Sequence, residues 1–248
     1  MALHSKWENG NLVFYDGTTY LLTVPRATQT VANITQLASL VRPSPLWAYE
    51  FFDDFMRYST DWWTVSTTEA GSGNASEAID NVIGGVLKLT NDDADDDMDQ
   101  IQLVGEPFKL AANKPLWFET RLKVSDATES DFIAGLCITD TSLIAAMSDG
   151  VYFRKDDGDA NIDFVTEKDG TATEADTGSD AGDDTYVRLG FYCDGVTSVT
   201  PYIDGAAATA HTTNIPDDEE LTVSFAIRNG EAAAKSMSID WVRVVQVR

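Results

Sequence analysis

SMSIDWVRVVQV, residues 236–247, sets Met237, Ile239 and Trp241 in alternation with Ser238 and Asp240, then places Val242, Val244, Val245 and Val247 on both faces. Period-two alternation marks a β-strand, and apolar groups on both faces mark a strand covered on both sides. A chain that ends on such a strand inserts it between strands already laid down. A jelly-roll sandwich is one fold that does this.

Upstream, LWFETRLKV (116–124) puts Leu116, Phe118, Thr120, Leu122 and Val124 on one face and Trp117, Glu119, Arg121 and Lys123 on the other. Short β-prone runs at 84–90, 101–104, 132–139, 151–154, 162–166, 186–192, 199–203 and 221–228 continue the series. Clusters of Asp, Gly and Ser separate them, with almost no helical periodicity, so the sequence predicts an all-β sandwich over residues 46–248.

The first segment differs. Leu12–Tyr15 and Thr19–Val24 flank Asp16-Gly17, a hairpin signal. A lone hairpin is marginal in water, so Trp7, Phe14, Tyr15 and Tyr20 read as partner-binding residues of an attachment arm. Val31, Ile34, Leu37, Ala38 and Val41 fall at helical spacing and predict a short helix. Arg42-Pro43-Ser44-Pro45 forces extended backbone. The expected organisation is an arm over 1–41, a linker at 42–45 and a jelly roll over 46–248.

The 248 residues carry 17 basic and 41 acidic side chains, a net charge of −24. Residues 1–41 hold Lys6 and Arg26 against Glu8 and Asp16, so the whole excess lies beyond them. A surface this acidic repels phosphate backbones and anionic lipid, which argues against nucleic-acid and membrane partners. The N-terminus has no apolar core of a signal peptide, and no stretch approaches the roughly 20 apolar residues that span a bilayer. A soluble protein made in a cytoplasm is expected. Cys137 and Cys193 sit in apolar runs and are expected to be buried free thiols.

Three pieces, LWFETRLKVSD (116–126), VTPYIDGAA (199–207) and SIDWVRVVQV (238–247), resemble in order and spacing the concanavalin A-like jelly rolls. These include laminin G-like domains, legume-type lectins and laminarinase-type glycosidases. The opening LHSKWENGNLVFYDGTTY resembles the N-terminal arms of virion structural proteins of tailed bacteriophages. That second resemblance implies a capsid decoration or cement protein on the capsid surface, made in the host cytoplasm and bound to the major capsid protein through its arm. Symmetric shells present three-fold sites, so a homotrimer is the oligomer expected. A carbohydrate-binding module of a tail or receptor-binding component is the alternative, and a laminarinase-type hydrolase the next.

Laminarinase-type enzymes take a nucleophile and an acid/base from a Glu-x-Asp-x-(x)-Glu strand shortly after the counterpart of FETRLKV. Here Phe132–Arg154 holds Asp140 and Asp149 but no glutamate, and Glu119 reads as an ion-pair partner of Arg121 or Lys123. No catalytic residue is assigned, and the expectation is a protein that is not an enzyme. His4 and His211 stand in no ligand spacing. No cofactor is expected, calcium being the one candidate: NDDADDDMD (91–99) has six carboxylates, with Asp93, Asp95 and Asp97 as its possible ligands, although a solvated loop is preferred. Asp157, Asp159, Asn161 and Asp163 form a second oxygen-rich series that lacks the glycine and glutamate of an EF-hand. A lectin also needs a sugar-stacking aromatic beside hydrogen-bonding groups, for which Trp62, Trp63 and Trp117 are the candidates.

Overall fold

The computed structural model of the protein describes strands β1 (Leu3–Glu8), β2 (Asn11–Asp16) and β3 (Thr19–Pro25) and residues 45–248. The chain divides into two compact units, Met1–Pro43 and Ser44–Arg248. In the first, β1, β2 and β3 form an antiparallel sheet in that order. The hairpin read from the sequence is β2–β3, and β1 adds a strand that the sequence reading had not placed. The helix expected over 31–41 lies outside the described residues, as do the side chains of Trp7, Phe14, Tyr15 and Tyr20.

The second unit is a sandwich of two antiparallel sheets. One runs β13 (Thr171–Asp180), β12 (Asn161–Lys168), β11 (Gly150–Lys155), β10 (Ser130–Cys137), β17 (Thr222–Asn229), β8 (Met98–Leu103), β5 (Trp63–Thr68). The other runs β16 (Ala206–Ala207), β15 (Val199–Ile203), β14 (Val187–Cys193), β9 (Leu116–Val124), β18 (Ser236–Val247), β7 (Leu87–Thr90), β6 (Ser76–Ile79), with β4 (Ala48–Asp53) also on β18. A one-turn helix α1 (Leu143–Ala146) follows β10. The terminal strand is central as expected, between β9 on one side and β7 and β4 on the other.

A register shift between Ile239 and Trp241 changes which residues of β18 face inward. Up to Ile239 the odd positions point into the core; after it, Val242 and Val244 do, while Trp241 is turned to the outer face. A β-bulge inserts one residue and so reverses the alternation beyond it. Between the sheets, Phe118 stacks on Phe191 at 5.0 Å, and Phe153 meets Phe164 at 5.1 Å. Cys137 and Cys193 are buried free thiols.

The turn before β10 is pinned by charge. The Asp126 carboxylate accepts the amides of Thr128 (3.0 Å) and Glu129 (2.9 Å) and the ammonium of Lys235 (2.7 Å). Burial disfavours its ionised form, but these donors outweigh it and hold its pKa at about 2. A carboxyl depressed by folding contributes stability that is present above its ordinary pKa and is lost as pH falls toward the folded value. The wild-type melting temperature is therefore expected to fall more steeply between pH 4 and pH 2 than that of Asp126→Asn, as read by circular dichroism melts.

Candidate functional site

The outer face of the seven-stranded sheet is partly filled. The segment joining β10 to β11 folds back over it, so that Leu143 and Met147 pack on Ile133, Cys137, Tyr152, Val165 and Ala226. Two glutamines fasten this strap. Gln100 donates to the Asp140 carbonyl (2.6 Å) and accepts the Leu143 amide (2.9 Å), while Gln102 donates to the Ile138 carbonyl (2.8 Å) and accepts the Asp140 amide (2.9 Å). On β11, within the region 132–154 that holds no glutamate, the outward positions are Gly150, Tyr152 and Arg154. Arg154 pairs with Glu174 at 2.7 Å. Across from it Asp163 is pushed up to about 6 by burial and by Glu174 and Asp176.

The acidic series do not converge. Asp97 is buried, and its two oxygens accept the amides of Ala70 (2.6 Å) and Ala94 (3.1 Å). Asp93 and Asp95 are exposed on the same loop. Among the described residues no three His, Cys, Asp or Glu side chains are placed to hold a metal ion. The preference for a wholly solvated loop needs correcting, because Asp97 and Asp99 both turn inward. Glu119 also differs from expectation: it pairs with Arg188 at 3.3 Å, whereas Arg121 pairs with Asp240 and Lys123 with Asp184. The reason is register, since Gly190 stands opposite Glu119 and leaves room for the neighbouring arginine of β14.

The three tryptophans part company. Trp117 lies on the outer face of its sheet but is buried, its ring 5.2 Å from that of Tyr202. Trp63 enters the core between Phe51, Phe55 and Phe225 and donates its indole N–H to Asp53 at 3.2 Å. Trp62, one residue earlier, points outward and is 55% exposed. It lines a cleft of about 570 Å³ formed by the segment that joins β4 to β5.

That segment is held by its own side chains. Asp53 accepts the Phe55 amide at 2.8 Å as well as the Trp63 indole, and the Ser59 carbonyl accepts the amides of Trp62 (3.1 Å) and Trp63 (3.2 Å). Gly85 packs against its backbone so closely that a Cβ there would stand 2.6 Å from the Phe55 carbonyl oxygen and 2.7 Å from that of Asp54. Gly85→Ala is therefore expected to displace the segment and lower the melting temperature. Around Trp62 the cleft presents Phe52 and Met56 as apolar walls and Asp54, Arg57, Ser59 and Asp61 as hydrogen-bonding groups. The sequence named Trp62 but not these partners, because residues 54–61 have no periodicity that tells which side chains share a wall.

No family model matches the chain, and no curated protein matches it. Solved structures do. An endo-1,3-beta-glucanase from Streptomyces sioyaensis aligns with a TM-score of 0.59 at 14% identity, over 83% of this chain and 98% of that one. A Bacillus licheniformis beta-glucanase aligns with a TM-score of 0.56 at 17% identity, over 79% and 97%. The carbohydrate recognition domain of Emp46p, in its potassium-bound form, gives 0.52 at 11% identity, over 77% and 93%. The fold is a concanavalin A-like jelly roll. These jelly rolls correct the expectation that the chain is not an enzyme: glucanases share its fold, so the missing Glu-x-Asp-x-(x)-Glu strand does not exclude catalysis. They lend no support to the virion reading, in which residues 1–41 attach to a capsid.

Proposed function

We propose that the jelly roll is a glycan-binding domain whose site is the cleft beside Trp62. The observation that carries this is the pairing of a half-exposed indole with carboxylates, a guanidinium and a hydroxyl around one cavity. A pyranose ring presents an apolar C–H face that packs on an aromatic plane, and an equatorial ring of hydroxyls that hydrogen-bond to acceptors such as Asp54 and Asp61. The kinship of fold with glucanases and with a carbohydrate recognition domain supports the same class of ligand.

The test is binding of soluble β-1,3-glucan and mixed-linkage β-glucan, measured by affinity electrophoresis, for the wild type and for Trp62→Ala. The wild type is expected to be retarded by at least one of them, and Trp62→Ala to lose tenfold or more in affinity, the effect of about 1.4 kcal/mol. Release of reducing ends from the same polymers tells a hydrolase from a binder. Retardation of neither glucan, on these gels and on a glycan array, would remove the proposal.

A further inference from the structure

Asp99 is 0% exposed, and neither of its carboxylate oxygens has a hydrogen-bond partner. Its direction follows from register: on β8 it stands opposite Ile227 of β17, whose side chain is in the core, so Asp99 also points between the sheets. Glu77 does the same from the other sheet, since on β6 it stands opposite Leu89, another core residue. Two carboxyls thus face each other across the interior near one edge of the sandwich. Tyr58, from the segment before β5, brings a buried hydroxyl that is likewise without a partner.

Among the described residues no arginine or lysine forms a salt bridge with Asp99 or Glu77. The charged groups that face Asp99 are Glu77 from β6 and Glu69 from the stretch after β5, and both are acidic. Two ionised carboxylates pressed together away from water repel each other and lose their hydration, and a single bound positive charge relieves both costs.

We propose that Asp99, Glu77 and Tyr58 form a buried binding site for one proton, which the two carboxyls share at neutral pH and which clasps the two sheets together at this edge. The bound proton turns an acceptor–acceptor contact into a hydrogen bond. The Tyr58 hydroxyl, kept protonated by burial and by the nearby carboxyls, stands beside the same pair as a neutral group that adds no charge to it. Burial, with Glu77 and Glu69 adding to it, pushes the Asp99 carboxyl up to about 8. A group raised by folding contributes stability that is fully present below its unfolded pKa, about 4, and is lost as pH rises through its folded value. The contribution therefore declines progressively above about pH 4 and is gone in mildly alkaline solution, above about pH 8.

Side-chain carboxyl ¹³C shifts of the full-length protein, followed from pH 4 to pH 10, test this directly. The expected result is one aspartate with a midpoint of about 8, assigned to Asp99 by its loss in Asp99→Asn or, if that variant does not fold, by its displacement in Glu77→Gln. In parallel the wild-type melting temperature, relative to that of Asp99→Asn, is expected to fall by several degrees between about pH 4 and that midpoint and to level off above it. An ordinary Asp99 midpoint near 4 would overturn the proposal. So would a rise in melting temperature on adding millimolar calcium or magnesium at pH 7 that Glu77→Gln lacks, since the occupant would then be a divalent cation.

Discussion

Trp63→Ala is expected to lower stability by about 3–5 kcal/mol, the range for removing a large aromatic from a packed core. Trp63 is 1% exposed and touches three other rings, and its indole N–H satisfies a carboxylate that also holds the start of the cleft segment. For a chain of this length the loss corresponds to a fall of roughly 10 °C in melting temperature. Its neighbour gives the contrast. Trp62→Ala removes a side chain that is already half in water and is expected to leave the melt nearly unchanged. Differential scanning calorimetry of the two variants checks both statements, and equal losses would mean that the two indoles are not divided between core and cleft.

The second large effect is expected at Asn229. Its side chain is fully buried and donates to the carbonyls of Asp92 (2.7 Å) and Ala94 (2.8 Å) while accepting from the Asn91 amide nitrogen and the Lys235 amide (both 3.1 Å). Asn229→Ala removes all four bonds, leaving the buried Lys235 amide and the Asp92 carbonyl without these partners, and opens a cavity, although Asn91 keeps the carbonyls of Asp97 and Ile227. With about 1–3 kcal/mol for each buried polar group left without a partner, the loss should reach several kcal/mol. Urea melts are expected to show it, together with faster amide exchange over 91–97, whereas Asp93→Asn on the exposed part of the same loop should cost less than about 0.5 kcal/mol. A mild effect at Asn229 would show that the acidic loop is held by its own backbone.

The sequence made the sandwich legible because its inner strands obey simple alternation. β9 and β18 could be read from their residues, and the centrality of the last strand followed. The edges could not be read so well. β13, TATEADTGSD, carries no apolar alternation, because as the edge of its sheet it contributes a hydrogen-bonded ladder to β12 rather than a core face. β6 is four residues long and mostly exposed. The bulge after Ile239 was invisible for a different reason: Trp241 and Val242 are both acceptable in the core, and only the pairing with β9 decides between them.

The site was legible in part. The doublet Trp62-Trp63 at the start of a strand must send one indole inward and the other outward, yet nothing in the residues says which. The acidic run 91–99 reads as a uniform block of charge, while in the structure Asp97 serves two backbone amides and Asp99 faces the core. Composition cannot separate these roles, which are fixed by where β8 begins and by what stands opposite it.

The cleft itself is tested most directly by the indole N–H resonances of the six tryptophans in a ¹H–¹⁵N spectrum, titrated with a neutral β-linked glucose oligosaccharide. The Trp62 signal, assigned by its absence from Trp62→Ala, is expected to move in a saturable way while that of Trp117, which does not line the cleft, stays near its free position. Saturable binding that leaves the Trp62 signal unmoved would place the glycan elsewhere on the jelly roll and contradict the account.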